Sequence, residues 1–502
     1  MPLQFQLDGQ QVEADDDGSS LLEVLRDRLH VRSAKDGCSP QGQCGCCTVL
    51  VDGAPRVACV TPARRVAGRE VTTLDGLAEP IRRQWAEAFC ALGASQCGFC
   101  TPGIIVRLTT HPADVEQSLL AHLCRCTGWR TIVEAAGRVG QAFPARDLDA
   151  AAQRATLEGG VPQRVSPEVA LGAAGFADDT APPDALVAVP DGRGGWAVGE
   201  TQAEARALSG KVQGRRTTID VRHPLELPPG EWDAAFRTTW VEPAYLEPDA
   251  SWCAPGGDPV SPLANGGAFG GKAASSAPAA ARRLADEHGR PVRVLLSRED
   301  VVRLGPKRPP VAAAARADGS GVVRVVRTPG IVEAIAAVGP GLRVEEFDVA
   351  GPPTSAAVRA AGWAEAAVLL AGALRRAEVG APNGATAEAT VDGDRIRVRV
   401  SCGDPLDEVV LRSYCVGAAH MGLGWVRSEG IAVDARGEPH DLTIRSFGIL
   451  RAREMPEVDV EIEPGGGPPV NGSDAVFAAV AAAAWLADDL RPDWPLHRGR
   501  TA

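Results

Sequence analysis

The stretch DGCSPQGQCGCCTVLVDG, residues 36–53, puts four cysteines into ten positions. No other feature narrows the fold so far, because thiols this crowded end up as disulfides, as metal ligands or as buried bystanders. The N-terminus, MPLQFQLDGQQVEADDDG, has no basic region, apolar core or twin arginine, so no secretory leader is expected and a cytoplasmic location is. A reducing compartment argues against structural disulfides and leaves metal binding as the main use for clustered thiols.

Cys38, Cys44 and Cys47, with Cys59 beyond the next hairpin, read C-x5-C-x2-C-x11-C. A plant-type [2Fe–2S] site is C-x4-C-x2-C with a distant fourth cysteine. Two bridged irons need four thiolates, three of them from a loop wrapped around the cluster. Gly37, Gly42 and Gly45 suit such a loop, because they take unusual backbone angles and bring N–H groups near sulfur. Tetrahedral zinc is the alternative, although zinc sites usually come as two C-x2-C knuckles. The extra residue before Cys44 departs from the plant spacing, and Cys46 could compete with Cys47 as a ligand.

Ten of the thirteen cysteines lie at or before Cys126, and only Cys253, Cys402 and Cys415 follow. That asymmetry marks a domain boundary. Before it, residues 3–13 read as a hairpin turning at Asp8-Gly9, Ser20 and Glu23 as a capping box, and CTVLVDGAPRVACV as a second hairpin turning at Asp52-Gly53. These make a small α+β domain over 1–77. Residues 78–143 change to helical spacing in four short segments. Residues 144–165 are polar and aperiodic, as a linker would be. From 166 onward strand-like pieces (DRIRVRVS, PVRVLLS, GVVRVVR) mix with Ala-rich helical ones. The apolar run AVFAAVAAAAWLA, 475–487, is too short to span a bilayer and reads as a buried helix. A formal charge of -12 without a basic stripe argues against nucleic acid as a partner.

Cys97-Gly-Phe-Cys100 and Cys124-Arg-Cys126 supply four further thiols, which zinc would also fit. Their surroundings, GASQCGFCTPGIIV and HLCRCTGW, together with GQCGCCTVLVDG and RVACVTP, resemble the iron–sulfur region of the xanthine dehydrogenase/aldehyde oxidase family of molybdenum hydroxylases. The resemblance covers essentially residues 1–140, apart from the inserted residue and Cys46, where the family usually has alanine. It implies an α+β multidomain chain: a plant-type ferredoxin-like β-grasp domain over 1–77, a four-helix [2Fe–2S] domain over 78–143, the linker, and a shortened mixed α/β molybdopterin-binding-like region over 166–502. It implies that Cys97, Cys100, Cys124 and Cys126 hold the cluster nearer molybdenum. Cys38, Cys44, Cys47 and Cys59 would hold the outer one. Gln96 matches a pterin-contacting glutamine; taken alone it is a solvated helix-end residue. Cys90 reads as core and His122 as a packing or surface residue.

In the second half NGGAFGGK, 265–272, invites a phosphate-loop reading, but Ala273 stands where magnesium wants Ser or Thr. The family has a near-identical loop beside molybdenum, which implies that Gly267, Phe269 and Gly270 contact the cofactor; a plain tight turn is the alternative. VRAAGWAEAA resembles the stretch carrying a substrate-pocket arginine, here Arg359, which could equally be a surface arginine. The family's Gly-Glu-Pro-Pro is here Gly466-Gly467-Pro468-Pro469. The catalytic glutamate is therefore missing, and Glu463 lies four residues upstream. Loss of a positioned base costs on the order of 10²–10⁴-fold in rate.

The resemblance implies an oxidoreductase that passes electrons from a molybdopterin-type centre, acting on a purine, aldehyde or N-heterocycle, through two [2Fe–2S] clusters. With no flavin or nicotinamide fingerprint, the electrons must go to an external acceptor such as a flavoprotein. The alternative is a non-catalytic electron-transfer or docking subunit whose catalytic partner is another chain.

Overall fold

The computed structural model describes residues 2–111, 114–210, 219–261 and 267–497. The N-terminal hairpin forms as its sequence dictates. Strands β1 (Leu3–Leu7) and β2 (Gln10–Ala14) pair antiparallel, and the turn residues Asp8 and Gly9 both take positive φ, the two-residue turn that matches strand twist. β3 (Thr48–Val51) and β4 (Ala54–Val57) repeat the device around Asp52 and Gly53. β5 (Glu70–Thr72) joins the hairpins, parallel to β1 and antiparallel to β3, in a sheet ordered β2-β1-β5-β3-β4. Ser20 and Glu23 close the expected capping box, although the helix they start passes after one turn into a π-helical stretch, Val24–Arg28.

The four helical segments after this sheet are Glu79–Ala91, Thr101–Thr110, Val115–Ser118 and Arg130–Ala136. The expectation of a linker over 144–165 needs correction. Leu148–Gly159 is a helix, capped by Asp147 at one end and by left-handed Gly160 at the other. Its fully buried Arg154 and Glu158 pair with each other at 3.0 Å. Arg154 also donates to the carbonyls of Pro405, Asp404 and Val470. Two charges on the inner face of the helix hid its amphipathic period.

The rest of the chain builds three four-stranded sheets around apolar helices. Glu408–Arg427 and Ser473–Ala487 are buried along most of their length. Among the described residues no helix is long and apolar enough to cross a membrane. The two halves are joined by ion pairs at a largely buried seam: Arg26 pairs with Asp178 and Asp179, Lys35 with Asp179, and Arg293 with Asp27.

Candidate metal centre and the adjoining cavity

All thirteen cysteines are free thiols. The first candidate set comes from the loop between the two hairpins. The loop kinks at Ser39 (φ 46°), whose N–H donates to Asp36 Oδ1 at 3.0 Å. Cys38 is in hydrogen-bonding contact with Cys44 and Cys59, and Cys59 with Cys47. Backbone N–H groups point at the sulfurs, from Gln41 to Cys38 at 3.1 Å and from Cys59 to Cys47 at 3.4 Å. In the second set Cys97 and Cys126 are 3.6 Å apart and Cys100 contacts Cys124, which also meets Thr127 Oγ1 at 3.1 Å. Seven of these eight cysteines are buried, and Cys97 is half-buried.

One thiol in each set is held acidic. Cys38 is lowered well below the ordinary thiol range, first by its hydrogen bonds from Cys44 and Cys59. Cys124 is lowered to about 6, first by its bond from Cys100. A thiolate is the form that binds metal. Among the described residues no three His, Cys, Asp or Glu side chains close on one point as ligands of a single ion. In the second set the sulfurs stand in two neighbouring pairs, Cys97 with Cys126 and Cys100 with Cys124, which suits a two-iron cluster taking two thiolates per iron.

The two sets are adjacent. The N–H of Leu123, next to Cys124, donates to the carbonyl of Cys44 at 3.0 Å. His122, only 2 % exposed, lies in the same seam, with its ring against Gly45 and Nε2 3.1 Å from Thr48 Oγ1. It is a packing residue, held neutral by burial, which lowers its pKa to about 3. Cys90 is buried beside Arg146, away from both sets.

The second half closes over Cys97 and Cys126. Gly267 has φ +85°, and a Cβ there would stand 3.1 Å from Cys97 Sγ and 3.3 Å from Cys126 Sγ. Only glycine permits both that backbone angle and that approach. Asn265 and Gly266 of the same loop lie outside the described residues. Lys272 turns inward to Glu247 at 2.7 Å, beneath the Tyr245 ring, and lines the small space next to these sulfurs. Gln96 is buried rather than solvated. Its Nε2 donates to Cys126 O and Ser413 Oγ, both at 3.0 Å, while its Oε1 has no hydrogen-bond partner among the described residues.

Phe269 and Arg359 share a cavity of ≈ 30 Å³. Arg359 is buried, with its guanidinium 4.5 Å from the Phe269 ring centre and bonds to Asp474 at 2.8 Å and Ser473 at 2.5 Å. It is therefore not a surface arginine. Gly270 packs on the Ala357 carbonyl just before it. Sequence reasoning missed the other charges around the cavity. Arg125 pairs bidentately with Glu429 (2.5 and 2.8 Å), Arg308 with Glu365 (2.7 and 2.9 Å), and Glu242 with Lys307 (2.8 Å). Of these, Arg125 was findable, since in Cys-Arg-Cys the middle side chain must leave the sulfurs.

Gly467 is exposed and lies outside this cavity. Glu463 also lies outside this cavity, 3.8 Å from Arg399. A space of this size holds one or two waters, whereas small-molecule sites run to several hundred Å³. The four-thiol sets thus fit two-iron clusters, while the cavity at Phe269 and Arg359 does not fit a pterin with its walls as they stand.

Two family models match the chain: a 2Fe-2S iron-sulfur cluster binding domain over residues 5–70 and a [2Fe-2S] binding domain over residues 73–137. The chain is 37% identical over 127 residues to a probable xanthine dehydrogenase subunit of Bacillus subtilis, a match covering 24% of this chain and 73% of that one. It is 39% identical over 127 residues to the xanthine dehydrogenase iron-sulfur-binding subunit of Escherichia coli O157:H7, covering 23% and 79%. Against the aldehyde oxidoreductase of Megalodesulfovibrio gigas it is 41% identical over 132 residues, only 14% of that protein's length. The solved aldehyde oxidoreductase of Desulfovibrio desulfuricans superposes with a TM-score of 0.71 over 96% of this chain and 97% of that one, at 14% identity. That last likeness is one of fold.

Proposed function

The chain belongs to the xanthine dehydrogenase/aldehyde oxidase family, and from that premise we propose that it is the two-cluster electron-transfer component of a molybdenum hydroxylase. Cys97, Cys100, Cys124 and Cys126 hold the inner [2Fe–2S] cluster, and Cys38, Cys44, Cys47 and Cys59 the outer. Such clusters each carry one electron. The protein's own part is to supply buried thiolates, to aim N–H groups at them, and to keep the two sets apart by no more than one peptide hydrogen bond. That bond, Leu123 N–H to Cys44 O=C at 3.0 Å, is the observation that carries the reading. The oxygen-inserting chemistry belongs to a catalytic partner subunit, and a flavoprotein or similar acceptor takes the electrons.

Metal analysis and low-temperature paramagnetic resonance of purified protein test this. Roughly four irons per chain and two distinct signals on reduction are expected, with molybdenum well below stoichiometry. Colourless protein without those signals overturns the reading.

A second reading, in which this chain also hydroxylates a purine, aldehyde or N-heterocycle, is favoured by one observation: Gln96 Oε1 is a buried acceptor without a partner among the described residues, left for an incoming donor. One molybdenum per chain, in a host that makes the pterin, would decide for it.

A further inference from the structure

The loop that presents Cys38 and Cys44 is held from outside its own domain. Gly37, just before Cys38, has its carbonyl bonded by Arg298 Nη2 at 2.8 Å, from the start of the helix Arg298–Leu304 in the second half. The side-chain amide of Gln41 makes three hydrogen bonds, all to that half. Its Nε2 donates to Glu299 Oε1 at 3.0 Å and to Leu442 O at 2.8 Å, and its Oε1 accepts the Ile444 N–H at 3.1 Å. Gln43, just before Cys44, is met by Arg445, whose Nε donates to the Gln43 carbonyl at 2.9 Å and whose N–H donates to Gln43 Oε1 at 3.3 Å. Arg298, Glu299, Leu442 and Ile444 are all buried.

The two glutamines carry the peptides that face sulfur. Gln41 N–H donates to Cys38 Sγ at 3.1 Å, and Gln43 N–H is in hydrogen-bonding contact with the same sulfur. Between Cys38 and Cys44 the chain turns through left-handed Ser39 and Gly42 and joins no strand ladder, so side-chain contacts must fix where these N–H groups point. Two acceptors and one donor around the Gln41 amide also fix which way round it lies.

An N–H aimed at a ligating sulfur draws negative charge off it and favours the reduced cluster. Resting on the two-cluster reading above, we propose that Gln41 is a positioning residue through which the second half sets the outer cluster: gripped by Glu299, Leu442 and Ile444, it keeps two N–H groups on Cys38 Sγ and so raises that cluster's reduction potential. The second half then serves electron transfer even with a cavity too small for a pterin.

The test is a potentiometric titration of the holoprotein and three variants, following each cluster by its paramagnetic signal. Gln41→Leu, close in size and equally uncharged, loses all three bonds; the outer midpoint is expected to move negative while the inner stays put. Glu299→Gln and Glu299→Ala lose the same charge, but only the glutamine can still accept from Gln41. The outer midpoint of the alanine variant is therefore expected below that of the glutamine variant. The proposal is overturned if Gln41→Leu leaves the outer midpoint unchanged or moves both midpoints equally, or if the two Glu299 variants share one midpoint. Should Gln41→Leu lose the outer signal, the Glu299 pair decides. Wild-type protein with no cluster signals would instead overturn the underlying reading.

Discussion

Gly267 shows how much one residue decides at the sulfur sets. Any side chain there meets Cys97 Sγ and Cys126 Sγ and must also adopt φ +85°. Gly267→Ala should therefore disturb the inner set alone: about half the iron is lost and only the outer cluster's signal survives, checked by iron assay and paramagnetic resonance. Equal loss of both signals would show that the loop serves global folding instead. Cys90→Ala is the control, expected to leave iron unchanged because Cys90 packs beside Arg146 and touches neither set. The candidate cysteines were readable because metal chemistry favours particular short spacings, C-x2-C and C-x-C among them. Arg359 was not, since nothing local tells a buried arginine from an exposed one. Its environment comes from Asp474 and Ser473, more than a hundred residues away.

Among the elements, the two hairpins and the capping box were legible because a two-residue turn and an N-cap are satisfied within a few neighbouring residues. The helix Leu148–Gly159 was not, because its buried face carries an ion pair whose carbonyl partners lie in residues 404–405 and 470. Arg154→Met should leave Glu158 buried without its cation and lower stability by about 3–5 kcal/mol in denaturant unfolding. Arg399→Ala, which removes exposed cross-strand ion pairs to Glu388 and Glu461 on the face of a sheet, should cost under about 1 kcal/mol. Similar losses for the two would mean that the helix contributes little to the fold.

At the scale of the whole molecule, Asp179 ties the N-terminal half to the second half through Arg26 and Lys35. Asp179→Ala should split a single calorimetric unfolding transition into two, since the buried Lys35 ammonium then has no carboxylate and Arg26 keeps only Asp178, which weakens the junction. Acid should also weaken the fold. His420 is wholly buried, its Nε2 2.9 Å from Leu450 O, and burial lowers its pKa to about 4, against about 6.5 when unfolded. Above pH 6.5 both states are neutral there and stability is unaffected. Between pH 6.5 and about 4 only the unfolded chain takes the proton, so stability falls by up to about 1.4 kcal/mol per pH unit from this group. The slope should flatten in His420→Gln, measured by denaturant unfolding across that range. By itself the sequence determined the two four-cysteine groupings, the hairpins beside the first of them and a glycine at position 467, because each is a property of residues close together in the chain. Only the tertiary structure decided that Leu123 joins the two sulfur sets and that Phe269 and Arg359 enclose ≈ 30 Å³. Those facts depend on which distant segments press together, and close packing settles that for the whole chain at once.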